Sequence, residues 1–278
     1  MQQIELSAYA KINWSLLITG QRDDGYHTLM SLMEQVDLAD EITVQKAAFD
    51  QIACPPLPED ASNLALAAWL ALKKKLNLKD CLRIKIKKNI PLAAGLAGGS
   101  SDAAAVLRGA NELLDLGQTD EQLAELGLSL GADLPFCLAG GAAVVSGIGE
   151  RVEKVSDFPQ MPLLLINPGQ AVSTAAAYRG RMGAFCDRTV AYSKIASLLI
   201  ARRRLDFAQI AMVWQNDLQK SSIALCPAIA HIKLDLAKAG IPSLMSGSGA
   251  TVIAPPLDEE NLSKLQEKYH FVRTVKTR

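Results

Sequence analysis

Residues 91–104 read Pro91-Leu-Ala-Ala-Gly-Leu-Ala-Gly-Gly-Ser-Ser-Asp-Ala-Ala104. The stretch follows residues 82–86, where apolar and charged side chains alternate with the period of a half-buried strand. A helical pattern begins near Ser101 and extends to about Leu116. The chain is therefore predicted to pass from a strand to a helix through a turn of small residues.

This turn has the composition of a phosphate-binding loop. Its glycines and alanines leave the backbone uncovered, so that amide groups can approach a bulky anion. The first turn of the following helix adds unpaired N–H groups and the positive end of the helix dipole. Ser100 and Ser101 add hydroxyl groups. The loop is neither a Walker A loop nor a G-x-G-x-x-G motif, and a tight turn that is only well packed is the alternative reading.

Similar patterns define elements on both sides of the turn. Alternation over residues 4–8 and 42–45 predicts further strands. A helix is expected from Asn63 to about Leu76, and another from Thr119, where Gln122 completes a capping box, to Gly131.

The second half of the chain is predicted to contain a buried strand, helices, a Gly/Ser loop and a last strand. Residues 156–162 precede it, carry two prolines and show no periodicity, as expected at a domain boundary. We therefore predict two domains, residues 1–156 and 157–278, each with a sheet covered by helices. This is an α+β fold.

The composition narrows the class of function. With 29 basic and 29 acidic residues, the chain has no overall attraction to nucleic acid or to an anionic membrane. Five cysteines without CxxC spacing and three histidines argue against a structural zinc site and for reduced thiols. We expect a cytoplasmic protein without a signal peptide or a membrane span. Basic clusters at residues 73–75, 85–88 and 202–204 are read as solvated faces.

Three segments together resemble the motifs of the GHMP kinases. Residues 91–104 resemble the second motif of that family, Ala8-Tyr-Ala-Lys-Ile-Asn13 the N-terminal motif, and Ser243-Leu-Met-Ser-Gly-Ser-Gly-Ala-Thr251 the C-terminal one. The resemblance spans nearly the whole chain. It implies a two-domain GHMP-kinase-like α+β fold, with an N-terminal ribosomal-protein-S5-domain-2-like domain and a C-terminal ferredoxin-like domain. It also implies phosphoryl transfer from ATP, with Mg²⁺, to a hydroxyl group of a small molecule.

The resemblance also implies which residues contact ATP. Asn63 matches a family position near the adenine. The phosphate loop would supply Pro91, Leu92, Ala93, Ala94, Gly95, Leu96, Ala97, Gly98, Gly99, Ser100 and Ser101. Ala93 and Ala97 stand where some relatives carry glycine. Metal ligands are left unassigned.

Two charged residues are the candidate catalytic pair. Asp133 follows Gly131, and Pro135 is expected to keep Leu134 out of a helix, so that Asp133 is presented on a turn. A simple turn-forming role is the alternative. In the family an aspartate at this place is the candidate base. Lys11 is the matching basic residue and lies in an apolar strand, where it could instead form a structural ion pair or be an edge-strand lysine.

The segment after the first strand indicates the kind of substrate. Asp24-Gly-Tyr-His27 offers an aromatic ring and an imidazole soon after Asn13. This arrangement resembles a branch of the family whose substrate carries a cytidine diphosphate, in which Asn13, Tyr26 and His27 would contact the cytidine. Tyr178 matches a second aromatic that closes over the base. A half-buried turn tyrosine is the alternative for Tyr26.

Two other functions are also compatible with the sequence. One is another GHMP kinase, of the mevalonate or homoserine type, which would not need the Tyr26-His27 pair. The other is a catalytically silent nucleotide- or sugar-binding protein, which would be expected to lack Asp133 or Lys11. The expected partner is a small molecule and neither nucleic acid nor membrane, while the oligomeric state is left open.

Overall fold

A computed structural model describes residues 3–156 and 158–278. The strands are β1 (Gln3–Asn13), β2 (Leu17–Gln21), β3 (His27–Ala47), β4 (Gln51–Ala53), β5 (Cys81–Lys87), β6 (Ala142–Gly147), β7 (Arg151–Val155), β8 (Pro162–Asn167), β9 (Leu244–Met245), β10 (Val252–Ala254) and β11 (Phe271–Lys276). The helices are α1 (Leu64–Lys75), α2 (Gly98–Leu113), α3 (Asp120–Leu128), α4 (Leu134–Ala139), α5 (Thr174–Arg179), α6 (Arg188–Arg203), α7 (Phe207–Val213), α8 (Gln219–Leu225), α9 (Ala228–Lys238) and α10 (Glu259–Lys268). Within the described ranges, no helix is long and apolar enough to cross a membrane.

The chain forms two compact units, each built from several segments. The first unit holds the described part of Met1–Ala10 together with Leu38–Ile90 and Ala97–Gly140. The second holds Lys11–Asp37, Pro91–Leu96 and Gly141–Arg278. The boundary between residues 156 and 157 stays a prediction, and Asp157 lies outside the described residues.

A sheet and helices α1 to α4 make up the first unit. In the sheet, β5 pairs antiparallel with Glu41–Ala47 of β3 and parallel with β4. The predicted alternation is confirmed, since Leu82, Ile84 and Ile86 are buried while the side chains between them face outward. Helices α1 and α2 pack on each other, each through a buried apolar face.

Two antiparallel strand sets are present in the second unit. Leu29–Glu34 of β3 pairs with β6, which pairs in turn with β7. A four-stranded sheet has the order β11-β8-β10-β9. Its central strand β8 is buried from Leu163 to Ile166, as the unbroken apolar run predicts.

Helix ends in the first unit are partly as predicted. Asn63 caps α1 by accepting a hydrogen bond from the Ala65 amide, and Thr119 and Gln122 form the expected capping box at α3. α3 ends at Leu128, which is three residues before Gly131.

The positions of α2 and α4 correct two expectations. α2 begins at Gly98 and not near Ser101, so Ser100 and Ser101 both lie in its first turn. The prediction that Pro135 keeps Leu134 out of a helix is wrong, because α4 begins at Leu134. Proline is tolerated in a first turn, where its missing amide would have no intrahelical partner.

Two members of the predicted solvated basic clusters are buried. The side chain of Lys88 is 8 % exposed and contacts two carboxylates in the first unit. Arg202, in the second unit, is fully buried and makes two hydrogen bonds to Glu34, at 2.7 and 2.9 Å. Trp14 donates a third hydrogen bond to the same carboxylate, at 2.7 Å. Buried charges of this kind are kept only when paired, which charge counting along a sequence does not reveal.

Candidate active site

Residues 91–96 of the phosphate loop lie in the second unit and contact the C-terminal Gly-rich segment. The Ala94 carbonyl accepts a hydrogen bond from the Thr251 amide at 3.1 Å, and the Gly95 carbonyl accepts one from the Ser246 hydroxyl at 3.3 Å. Gly95 has a φ of +76°, and a Cβ there would lie 2.2 Å from the Ser246 carbonyl oxygen. The close approach of these two motifs therefore requires glycine at position 95.

The N-terminal motif reaches the same segment. The Lys11 amide donates to the Leu96 carbonyl at 3.1 Å. The ammonium of Lys11, which is 3 % exposed, donates to the Gly95 carbonyl at 3.2 Å and to the Asn13 side-chain oxygen at 2.8 Å. The Asn13 side-chain amide donates in turn to Ser31 at 2.8 Å. Parts of all three motifs thus meet within the second unit, although they are far apart in the sequence.

Residues 97–101 lie in the first unit and begin α2. Ala97 precedes the helix with a φ of +56° in the left-handed region, which favours glycine. The Ser101 hydroxyl donates to the Tyr9 carbonyl at 2.6 Å and lies 3.3 Å from the Cys137 sulfur. Its contact with ATP stays a prediction, as does that of Ser100.

The two glycines that open α2 differ in what a side chain would meet. A Cβ at Gly98 would lie 3.2 Å from the Ile90 side chain and 3.4 Å from the Lys88 ammonium, so this glycine allows close packing. At Gly99 no described atom lies within 4 Å of the equivalent position. Gly99 is thus the glycine whose open face fits the predicted phosphate cradle, and Gly98 is explained by its neighbours.

A buried charge cluster lies next to this helix start, and sequence reasoning missed it. Lys88 donates hydrogen bonds to Asp40 and, at 2.6 Å, to Asp102. Asp40 also accepts from the amides of Asn89 and Ile90, the residues just before the loop, at 2.5 and 2.8 Å. The cluster ties the residues that follow β5 to Asp40 of β3 and to Asp102 of α2. Lys88 breaks the strand alternation, which is the signal that could have identified it.

Burial controls the ionisation of Asp102 in this cluster. Its pKa is raised to about 7, chiefly by burial, with the Lys88 ammonium opposing the shift and the Asp40 charge adding to it. Within the described residues, its second carboxylate oxygen is buried without a hydrogen-bond partner.

Asp133 is at the N-cap position of α4, with αR backbone angles, and is half-buried. Its carboxylate does not cap the helix. A Cβ at Gly131, two residues earlier, would lie 3.5 Å from the Ser100 hydroxyl and 3.7 Å from Leu64. In the first unit, the turn that leads to Asp133 therefore lies near the start of α2. It also lies near Asn63, the N-cap of α1, which is predicted to contact the adenine. Asn63 donates its side-chain amide to the Pro58 carbonyl at 3.2 Å.

The predicted base-binding residues form a ring cluster in the second unit. The rings of His27 and Tyr178 lie 5.5 Å apart, and Phe185 packs edge-on against His27 at 6.3 Å. Burial, together with the charge of Arg181, lowers the pKa of His27 and so favours its neutral imidazole. Tyr26 is 60 % exposed and not half-buried. Phe185 was not predicted, and no local pattern marks it.

Comparison with known proteins places these features in a family. The sequence matches the descriptions "GHMP kinases N terminal domain" over residues 63–141 and "GHMP kinases C terminal" over residues 195–272. It is 41 % identical over 252 residues to the 4-diphosphocytidyl-2-C-methyl-D-erythritol kinase of Bacillus cereus (strain AH187), covering 89 % of this chain and 86 % of the relative.

Solved structures show the same fold. A crystal structure of 4-(cytidine 5'-diphospho)-2C-methyl-D-erythritol kinase matches with a TM-score of 0.80 at 28 % identity, covering 99 % of each chain. Homoserine kinase from Cytophaga hutchinsonii matches with a TM-score of 0.76 at 19 % identity, covering 100 % of this chain and 95 % of the other, which indicates the fold alone. The predicted two-domain α+β architecture is confirmed, and the chain belongs to the GHMP kinase family.

Proposed function

We propose that this kinase transfers the γ-phosphoryl group of ATP to the 2-hydroxyl of 4-diphosphocytidyl-2-C-methyl-D-erythritol, in non-mevalonate isoprenoid precursor biosynthesis. The observation that carries this proposal is the 41 % identity, over 89 % of the chain, to relatives that bear the name of this kinase. A cytoplasmic location is part of the proposal.

The ring cluster supports a substrate that carries a nucleobase. The neutral imidazole of His27 has one N–H donor and one acceptor nitrogen, which suit the polar edge of cytosine. Tyr178 lies beside it and offers a ring face, and the exposed Tyr26 offers a second. Aromatic side chains can stack on a nucleobase, because every base has a π-face. We propose that these three residues hold the cytosine and that Asn13 contacts the same substrate.

ATP would be held at the start of α2. The open face of Gly99 leaves the first-turn amides accessible to phosphate oxygens, and the helix dipole favours negative charge there. Asn63, at the cap of α1, is the residue proposed to lie near the adenine.

Asp133 is proposed as the proton acceptor. The substrate 2-hydroxyl oxygen forms a bond to the γ-phosphorus while the bond between that phosphorus and the bridging oxygen of ADP breaks. The hydroxyl proton passes to the carboxylate of Asp133, at the N-cap position of α4. Lys11 contributes a positive charge that helps to orient the acceptor.

Mg²⁺ is proposed to accompany ATP. Within residues 3–156 and 158–278 no group of three or more metal-ligating side chains is assembled. Mg²⁺ usually takes one or two carboxylates together with substrate phosphates. Ser100, in the first turn of α2, would supply a hydroxyl ligand. The ion would neutralise charge on the phosphates.

A coupled assay of ADP release tests the proposal against its rivals. The acceptors are 4-diphosphocytidyl-2-C-methyl-D-erythritol, mevalonate and homoserine. We expect turnover of the first alone, and CDP is expected to raise the melting temperature. Asp133→Asn, which keeps the shape but removes the proton acceptor, should lower kcat by at least about 10²-fold while ATP binding survives.

The other outcomes each identify a rival. Turnover of mevalonate or homoserine would assign the chain to another branch of the family. Nucleotide binding without turnover of any acceptor would identify a silent binding protein. Near-normal turnover by Asp133→Asn would remove Asp133 from the role of base.

A further inference from the structure

The second unit contains a cavity that none of the predicted site residues lines. Its volume is about 550 Å³, within the roughly 300–1,000 Å³ typical of small-molecule sites. The walls come from the segment after α5, the segment between α7 and α8, helix α9 and the start of the C-terminal Gly-rich segment. They include Arg181, Trp214, Lys220, Lys233 and Leu244.

The charge on the cavity wall is mostly positive. Arg181, Lys220 and Lys233 are cationic, and Asp217 is the carboxylate among the lining residues. Both oxygens of Asp217 already accept hydrogen bonds, from the Ile18 amide at 2.7 Å and from the Gln215 side chain at 2.6 Å. In the described chain, none of the three cations forms an ion pair with it. Such a wall favours an anion.

Lys233 is the member of this set that most needs a negative partner. Its ammonium donates to the carbonyl and the hydroxyl of Ser243, at 2.5 and 3.4 Å. Both acceptors are neutral, and burial lowers the pKa of Lys233. A partly buried charge without a counter-ion is costly, so an anion in the cavity would be stabilised by this ammonium.

Other atoms of the cavity wall suit a ligand that has a polar part and an apolar part. Among the described residues, the Arg181 Nε, the Trp214 Nε1 and the Gln219 Oε1 are buried without hydrogen-bond partners. The first two are donors, as an anion requires. Pro242, Leu244 and the indole of Trp214 supply apolar surface on the same wall.

We infer that this cavity is a second binding site, for a small molecule that carries a phosphate group on an apolar or aromatic body. Among the described residues, none of those proposed to contact ATP or the cytidine substrate lines it, although the charge of Arg181 also acts on His27 of the ring cluster. The inference does not depend on the proposed kinase reaction, since it rests on the cavity wall alone.

Tryptophan fluorescence gives a direct measurement of binding. Trp14 and Trp69 are fully buried, whereas Trp214 lines the cavity. Phenyl phosphate is titrated, with excitation at a wavelength that phenyl groups do not absorb, while CDP and a non-hydrolysable ATP analogue saturate the proposed kinase sites. We expect saturable quenching by phenyl phosphate and much weaker binding of phenol. Lys233→Met should weaken phenyl phosphate at least about 10-fold, as expected for loss of a charge-assisted contact.

Control variants distinguish a loss of ligand binding from a loss of packing in the protein. Lys238→Met changes a lysine on the same helix that does not line the cavity, and should bind like the wild type. Trp214→Phe should lose the quenching while calorimetry still detects binding. Lys220, which is exposed, provides a second variant, Lys220→Met, if Lys233→Met does not fold.

Three results would overturn the inference. The first is an absence of saturable binding while the kinase sites are filled. The second is equal affinity for phenyl phosphate in Lys233→Met, Lys220→Met and the wild type. That result would mean that Lys233 only holds Ser243 in place. The third is displacement of phenyl phosphate by CDP, which would make the cavity part of the substrate site.

Discussion

Replacement of Gly99 by alanine should change stability and ATP binding in opposite directions. Gly99 is the second residue of α2, has an ordinary helical φ, and its Cβ position meets no described atom within 4 Å. Alanine is about 0.5–1 kcal/mol better than glycine inside a helix, and less at its first turn. We therefore expect Gly99→Ala to raise the melting temperature slightly, by about 1–2 °C for a chain of this length.

The same methyl group should hinder ATP. It would stand on the open face of the first turn, where phosphate oxygens are proposed to meet backbone amides. Loss of one hydrogen bond to a charged group costs about 1.5–3 kcal/mol. That corresponds to an ATP dissociation constant about 10- to 150-fold higher. CDP affinity should stay within about twofold, because the ring cluster is elsewhere in the chain.

Calorimetric titration with ATP and with CDP, together with thermal unfolding, measures all three quantities. Gly98→Ala is the matched control, since its Cβ would press on Ile90 and Lys88 at 3.2 and 3.4 Å. Because its methyl group would point at Ile90 and not at open space, it should affect ATP less than Gly99→Ala does. Wild-type ATP affinity in Gly99→Ala would refute the idea that the phosphates approach this face.

Three further predictions concern the loop, the charge cluster and the base site. Ala97→Gly should stabilise the protein by up to about 1 kcal/mol, as measured by urea unfolding. The left-handed backbone costs alanine about 1–2 kcal/mol, and the greater freedom of glycine in the unfolded chain partly offsets this gain. A destabilised variant would contradict this prediction. Because burial raises the pKa of Asp102 to about 7 in the folded state, its contribution to stability is present below about pH 4 and is lost as the pH rises to about 7. Asp102→Asn should therefore flatten the pH dependence of the free energy of unfolding over that window, and an unchanged slope would count against the raised pKa. Tyr26→Ala should raise KM for the cytidine substrate about 5- to 150-fold and leave KM for ATP nearly unchanged, while Tyr26→Phe stays near wild type; an effect on ATP instead would assign Tyr26 to the adenine.

The sequence alone established much of the local structure. The alternation at Leu82, Ile84 and Ile86, the Asn63 cap and the capping box at Thr119 all depend on residues within a few positions of one another. Their patterns can therefore be read without knowing the fold. The three motifs also indicated the family, because each is a contiguous stretch whose residue types serve one binding task.

The tertiary structure decided which way the residues face and which residues they contact. Gly98 and Gly99 are adjacent and chemically identical, yet one faces Ile90 and the other faces open space, because the orientation of α2 sets where each Cβ would point. Phe185 and Tyr178 reach His27 from about 150 residues away.

Buried charged residues show the same difference between what the sequence determines and what the tertiary structure determines. Lys88 and Arg202 look like surface residues when charges are counted along the chain, but each is paired inside a unit with carboxylates from distant segments. The cost of burying a charge is met by partners that packing supplies, and packing joins residues that no local period relates. For that reason the sequence determined the elements and the motifs, while only the folded chain determined which side chains meet and which face of the loop stays open.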